Sequence, residues 1–119
     1  MKVVTAVLPA LLVMATPSVS QTCDGNTTEV VACMARVLKQ VNAELNVEYQ
    51  RALKVARGQS TSTDVQNLKD AQRKWVAYRD AVCKAEYGLV GGGTAGPSIH
   101  ISCLIRITRQ RIADIQAGY

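Results

Sequence analysis

Apolar residues recur along this chain at steps of three and four over three long stretches, and no stretch alternates with the period of two that a half-buried strand requires. In the first, Val30, Met34, Val37, Val41, Leu45, Tyr49 and Ala52 form one face, which predicts a helix over about 28–57. Asn26, Thr27 or Thr28 can cap its start, Glu29 sits near the positive end of its dipole, and Gly58 offers a stop. The second stretch begins with Thr63 and Gln66 at capping-box spacing. It continues through Leu68, Ala71, Trp75, Tyr78, Val82 and Ala85 to Gly88, the seam expected of a helix packed alongside another. The third starts near Ser98 after Pro97, places Ile101, Leu104, Ile105, Thr108, Ile112 and Ile115 on one face, and fades at Gly118.

The connections then constrain the arrangement. Four polar residues, 59–62, separate the first two helices, so these are predicted to be antiparallel neighbours in a helical hairpin. The third helix is expected to cover the apolar groove that two helices leave open. Residues 88–97 hold five glycines and a proline, too many for regular structure, and are read as a loop. The predicted fold class is all-α: a three-helix domain made of a long helical hairpin plus a third, C-terminal helix.

The first 20 residues fall outside this pattern. Met1 and Lys2 give a positive start, residues 3–14 are almost uninterruptedly apolar, and residues 15–20 turn small and polar. That is the layout of a secretory signal peptide, with cleavage expected after Ser20 and a domain over 21–119. The apolar run is far shorter than the roughly 20 residues needed to span a bilayer. Cys23 is poorly placed for a lipoprotein anchor. The product is therefore expected to be periplasmic or secreted, with no membrane span after cleavage.

Four cysteines, Cys23, Cys33, Cys83 and Cys103, form an even set, which in a small exported domain reads as a disulfide framework. Four cysteines allow three connectivities, and spacing alone does not choose among them. The expectation taken is nearest-neighbour pairing, Cys23 with Cys33 and Cys83 with Cys103, with one bridge closing each end of the fold. No CxxC pair is present and His100 is the single histidine, so neither a metal site nor a cofactor is expected.

Charge and chemistry narrow the function further. The formal net charge is +5, and losing Lys2 with the signal segment leaves +4. Arg106, Arg109 and Arg111 are the one dense cluster, read as a solvated helix face. With one tryptophan and four tyrosines the chain lacks the stacking residues of a nucleic-acid binder. His100 has no nucleophile beside it, the thiols are committed to bridges, and the nine acidic residues are scattered, so no catalytic residue is assigned and no enzymatic activity is expected.

One segment carries a more specific signal. Ala71-Gln72-Arg73-Lys74-Trp75-Val76-Ala77-Tyr78-Arg79-Asp80-Ala81-Val82-Cys83 resembles the signature of the LprI-type lysozyme-inhibitor family of bacterial envelope proteins. Upstream, Cys33 precedes Glu44-Leu45-Asn46 and Tyr49. Downstream, Gly91-Gly92-Gly93 leads to Cys103, Thr108 and Arg111. The resemblance implies a helical periplasmic or secreted domain with paired cysteines and, as its activity, inhibition of a lysozyme-like hydrolase.

The residues of this signature, Glu44, Asn46, Tyr49, Gln72, Trp75, Tyr78, Arg79 and Asp80, are read as structural. Trp75 and Tyr78 are expected to anchor the core. Arg79 is expected to pair with Glu44 or Asp80, and Gln72 and Asn46 to bond backbone groups at the helix interface. The candidate partner contact is the glycine loop, Gly91, Gly92 and Gly93, with Lys84, Arg106 and Arg109 as nearby cations. Occlusion of a cell-wall hydrolase is the leading expectation. The alternative is a structural or interaction module of the envelope that binds a protein or an anionic polymer through the basic face.

Overall fold

The computed structural model describes residues 22–59 and 61–118; the expected signal segment and its cleavage site lie outside these residues. Three α-helices follow one another: α1 (Thr27–Gln59), α2 (Ser62–Leu89) and α3 (Gly96–Gly118). The all-α, three-helix expectation holds, and no strand occurs among the described residues.

Local chemistry sets the helix starts. At α1 the Asn26 side chain accepts from the Glu29 N–H at 3.1 Å, while the Glu29 carboxylate accepts from the Asn26 N–H at 2.9 Å. At α2 the cap is Thr61 rather than the expected Thr63, and Asp64 rather than Gln66 closes the box. A carboxylate at the third helical position accepts both the Thr61 N–H at 3.1 Å and its hydroxyl at 2.8 Å, and a negative charge also suits the positive end of the helix dipole. Gln66 lies a further half-turn in and donates to Asp70 instead.

Contacts of the buried residues fix the directions. Val37 and Val41 of α1 cluster with Ile105 of α3; farther along, Leu45, Ala52, Leu53 and Ala56 cluster with Ile115 and with Leu68 from the start of α2. Thus α1 and α3 run parallel and α2 runs antiparallel to both. The α3 helix packs most extensively along α1, less along α2, and direct packing of α1 on α2 is the smallest of the three. The C-terminal helix is therefore the element against which both arms of the hairpin are built.

Both expected disulfides are present, Cys23–Cys33 and Cys83–Cys103, with Cα–Cα distances of 5.6 and 5.5 Å. They do not close opposite ends. Because α1 and α3 are parallel, the start of α1, the end of α2 and the start of α3 lie together, so both bridges occupy the half of the bundle next to the α2–α3 turn. Cys23 packs against the Val37, Val41 and Ile105 cluster, while Cys83 and Cys103 are buried between α2 and α3.

The buried bridge also sets the rotation of α2. Cys83 is fully buried, and Tyr78 lies five residues away, about 140° round the helix at 3.6 residues per turn. Tyr78 consequently points outward, with 60% of its surface exposed, and does not anchor the core as its spacing predicted. Ala71 and Ala85 are exposed for the same reason. The inward stripe of α2 is Leu68, Gln72, Trp75, Arg79, Val82, Cys83 and Glu86, all buried or half-buried.

Candidate functional site

That inward stripe places two polar side chains of the signature, Gln72 and Arg79, between helices. Arg79 lies halfway along the bundle, its side chain only 15% exposed. It donates to Asn42 of α1 at 3.2 Å, to Thr108 of α3 at 3.3 Å and to the neighbouring Asp80 at 3.0 Å. Thr108 is the one buried polar residue among those described, with no surface exposed. Burying a guanidinium is costly unless its donors are met, and here all three helices meet them.

Trp75 sits between two cations, with the Arg79 guanidinium 5.3 Å and that of Arg111 5.8 Å from the centre of its ring system. Arg111 also donates to the Gln72 side chain at 3.1 Å. Trp75 therefore joins the core as expected, packed against the Leu45 to Ile115 cluster. Tyr49 packs against the same cluster from α1. Glu44 and Asn46 are exposed on α1. Arg79 thus engages Asp80 and not Glu44, and Gln72 meets a side chain rather than backbone. Arg79 and Gln72 form, with Asn42, Thr108 and Arg111, a layer of polar contacts between the three helices.

Exposed residues capable of recognition gather instead at the α2–α3 turn. Gly91, Gly92 and Gly93 have φ values of 71°, 72° and 72°, a left-handed run that residues with a Cβ rarely adopt. Backbone bonds from Gly91 N–H to Gly88 and from Gly96 N–H to Gly93 tie the turn at both sides. Just before it, Leu89 is 87% exposed, with Val90 and Tyr87 also at the surface. At the base of the turn, between the end of α2 and the start of α3, Lys84, Tyr87, Pro97 and His100 line a cavity of about 240 Å³.

The candidate contact residues therefore divide into two groups. Gly91, Gly92 and Gly93 form the tip, and Lys84 stands about two turns down α2 from it. The backbones of Arg106 and Arg109 lie ten and more residues into α3, and the Arg106 side chain reaches back toward the end of α2. Arg106 donates to Glu86 at 2.6 Å, and Arg111 is turned inward onto Gln72, so Arg106, Arg109 and Arg111 do not form one basic face. Leu89 and Val90 fall within the 88–97 loop expected to make the contact, whereas Tyr87, just before it, was not marked from the sequence. A signal was available, since a large apolar residue beside a glycine run has no helix seam to join.

Three carboxylates carry lowered pKa values, all in the half away from the tip. The Arg51 hydrogen bond, followed by that of Gln116, holds Glu48 below the ordinary range. The Thr61 hydroxyl and then its backbone do so for Asp64, and Arg73 followed by Gln66 for Asp70. Among the described residues no three His, Cys, Asp or Glu side chains converge as a metal site, and no helix is long and apolar enough to cross a membrane.

Known proteins bear directly on this architecture. The family model described as lysozyme inhibitor LprI matches residues 19–115. An uncharacterized protein of Rhizobium meliloti is 32% identical over 95 residues, covering 71% of this chain and 67% of the relative. No solved structure matches. The match spans both disulfides, the polar layer around Arg79 and the glycine turn, and on that ground the chain belongs to the LprI lysozyme-inhibitor family.

Proposed function

We propose that this chain is an exported, non-enzymatic inhibitor of a lysozyme-like cell-wall hydrolase, which it blocks by seating the α2–α3 tip in the substrate cleft. Family membership over residues 19–115 is the observation that carries this reading. Two disulfides fit an oxidising compartment outside the cytoplasm, where such a hydrolase acts. The tip supports the mode of action: a narrow glycine turn led by an exposed leucine suits a concave partner, and inhibition of this kind needs only occlusion. A formal net charge of +5, or +4 once Lys2 leaves with the signal segment, favours approach to an acidic or neutral hydrolase over a strongly cationic one.

The test is inhibition of a panel of lysozymes of differing net charge by the disulfide-bonded protein, with Leu89→Asp alongside. Leu89 is exposed, so its replacement leaves the core intact. Burial of one leucine side chain contributes about 1.5 to 3 kcal/mol, so the variant is expected to inhibit about 10- to 100-fold more weakly. Failure of the parent protein to inhibit any lysozyme at micromolar excess sinks the proposal. Equal potency of Leu89→Asp removes the tip from it.

A further inference from the structure

The cavity at the base of the turn has features that the occlusion reading does not use. Its walls are fixed by a chain of contacts that begins at a covalent bond. Cys83 is bridged to Cys103, and its carbonyl oxygen lies 3.2 Å from Nδ1 of His100. The His100 ring meets the Tyr87 ring edge to face, with centroids 6.1 Å apart and planes at 82°. On its other side the Tyr87 ring lies over Gly96, where an added Cβ would stand 2.6 Å from Cε2. Glycine at position 96 is thus what lets the aromatic wall close down on the start of α3.

The size and charge of the space point to its occupant. At about 240 Å³ it falls below the roughly 300 to 1,000 Å³ typical of pockets for small-molecule ligands, and it suits one side chain of a partner. Its lining of tyrosine ring, proline ring, imidazole and lysine stem fits a short apolar stem. At the rim the charges are unequal. Asp80, one turn before Lys84, is engaged by Arg79, and Glu86 is engaged by Arg106. Lys84 is in no ion pair among the described residues, so it is the uncompensated charge of the cavity.

We infer that the cavity formed by Lys84, Tyr87, Pro97 and His100 is a subsite for a single carboxylate-bearing side chain of the partner, its stem against Tyr87 and Pro97 and its carboxylate on the Lys84 ammonium. This inference rests on the tip-docking reading for its biological setting, because Tyr87 leads into the glycine turn and Pro97 follows it. It adds to that reading the chemistry of the partner: an acidic residue at the surface that meets the base of the turn. Walls held by a disulfide and a glycine contact are ordered before binding, so little side-chain freedom is lost when the partner arrives.

A probe separates this inference from the hydrolase reading. N-acetylglutamate α-amide, whose one charge is the side-chain carboxylate, is titrated into the isotope-labelled, disulfide-bonded protein while the Lys84, Tyr87 and His100 side-chain signals are followed by NMR; N-acetylglutamine α-amide is the uncharged control. Saturable shifts at all three with the glutamate probe and none with the glutamine probe are expected. Lys84→Met should abolish them, Lys84→Arg should keep them, and Tyr87→Ala should abolish them although the lysine remains. Against any lysozyme the parent inhibits, Lys84→Met is expected to be about tenfold or more weaker, the effect of losing a charged hydrogen bond at an interface. Equal response to the glutamate and glutamine probes, or full response in Tyr87→Ala, overturns the subsite. A specific response to the glutamate probe with no lysozyme inhibited leaves the subsite standing and removes the hydrolase.

Discussion

In the half next to the glycine turn, Val37, Val41 and Ile105 make a small buried cluster that two disulfides reinforce. The half next to the α1–α2 link buries Leu45, Ala52, Leu53, Ala56, Leu68 and Ile115 and holds no bridge. Between them lies the polar layer of Asn42, Arg79 and Thr108. Burial of apolar surface dominates in one half and covalent constraint supplements a thin core in the other. The bridges span sequence separations of 10 and 20 residues, and loops of that size correspond to about 3 kcal/mol each. The covalently held half is also the one that presents the tip. A protruding turn offers few neighbours to pack against, so fixed geometry there has to come from bonds and close contacts.

The sharpest way to break the comparison is a cavity in the link half. Leu53→Ala, at a site 3% exposed, is expected to cost about 3 kcal/mol in urea unfolding. A loss under 1 kcal/mol would mean that this half does not depend on its core.

Replacing both Cys83 and Cys103 by alanine tests the other half. The expected loss is about 3 kcal/mol, with amide exchange rising first around the α2–α3 turn and last around Leu53 and Ile115. Uniform loosening of the whole bundle would show that the halves are one cooperative unit.

Arg79→Met keeps side-chain bulk and removes the donor that joins the layers. Leaving the buried Thr108 hydroxyl without it should cost about 2 kcal/mol by thermal or urea unfolding. If stability is unchanged, the polar layer contributes register and not stability.

The smallest effect separates the halves by condition instead of by mutation. Glu48, Asp64 and Asp70 all titrate below their ordinary range, and all lie in the link half. A carboxylate with a depressed folded pKa stabilises the fold above its unfolded value and ceases to as pH falls through the folded one. Acidification below about pH 4.5 should therefore raise amide exchange first in the link half. A reductant at neutral pH should raise it first near the turn. The two exchange maps, recorded on the same protein, are expected to be complementary, and identical maps would refute the division.

Helix content and order were legible because their causes are local. Steps of three and four in Val30 to Ala52 and in Ile101 to Ile115, the break at the glycines and the short polar link are each readable within a few residues. The cysteine pairing was one of three that spacing left open; the nearest-neighbour expectation holds, but that of one bridge per end does not, because it required knowing that α1 and α3 run parallel. The shift of the α2 cap from Thr63 to Thr61 is a smaller instance. Two threonines stood at capping-box spacing to a partner, and the carboxylate of Asp64 outcompeted the amide of Gln66.

The candidate site divides in the same way. Gly91, Gly92, Gly93 and Lys84 were legible as a tip and a nearby cation because glycine runs and solvated lysines are recognisable one residue at a time. The cavity was not, since Tyr87, Pro97 and His100 come from two helices and meet only through the fold. Tyr78 shows the limit most directly. By pattern it belongs inside, and the fold leaves it 60% exposed.

The sequence by itself determined three helices, an even set of cysteines and a family signature, since each is encoded in spacing and side-chain type along one segment. Tertiary structure alone decided which stripe of α2 faces inward. A helix with apolar residues on more than one face has no preferred rotation until something anchors it, and here the buried Cys83–Cys103 bridge turns Arg79 toward Asn42 and Thr108 and leaves Tyr78 in water.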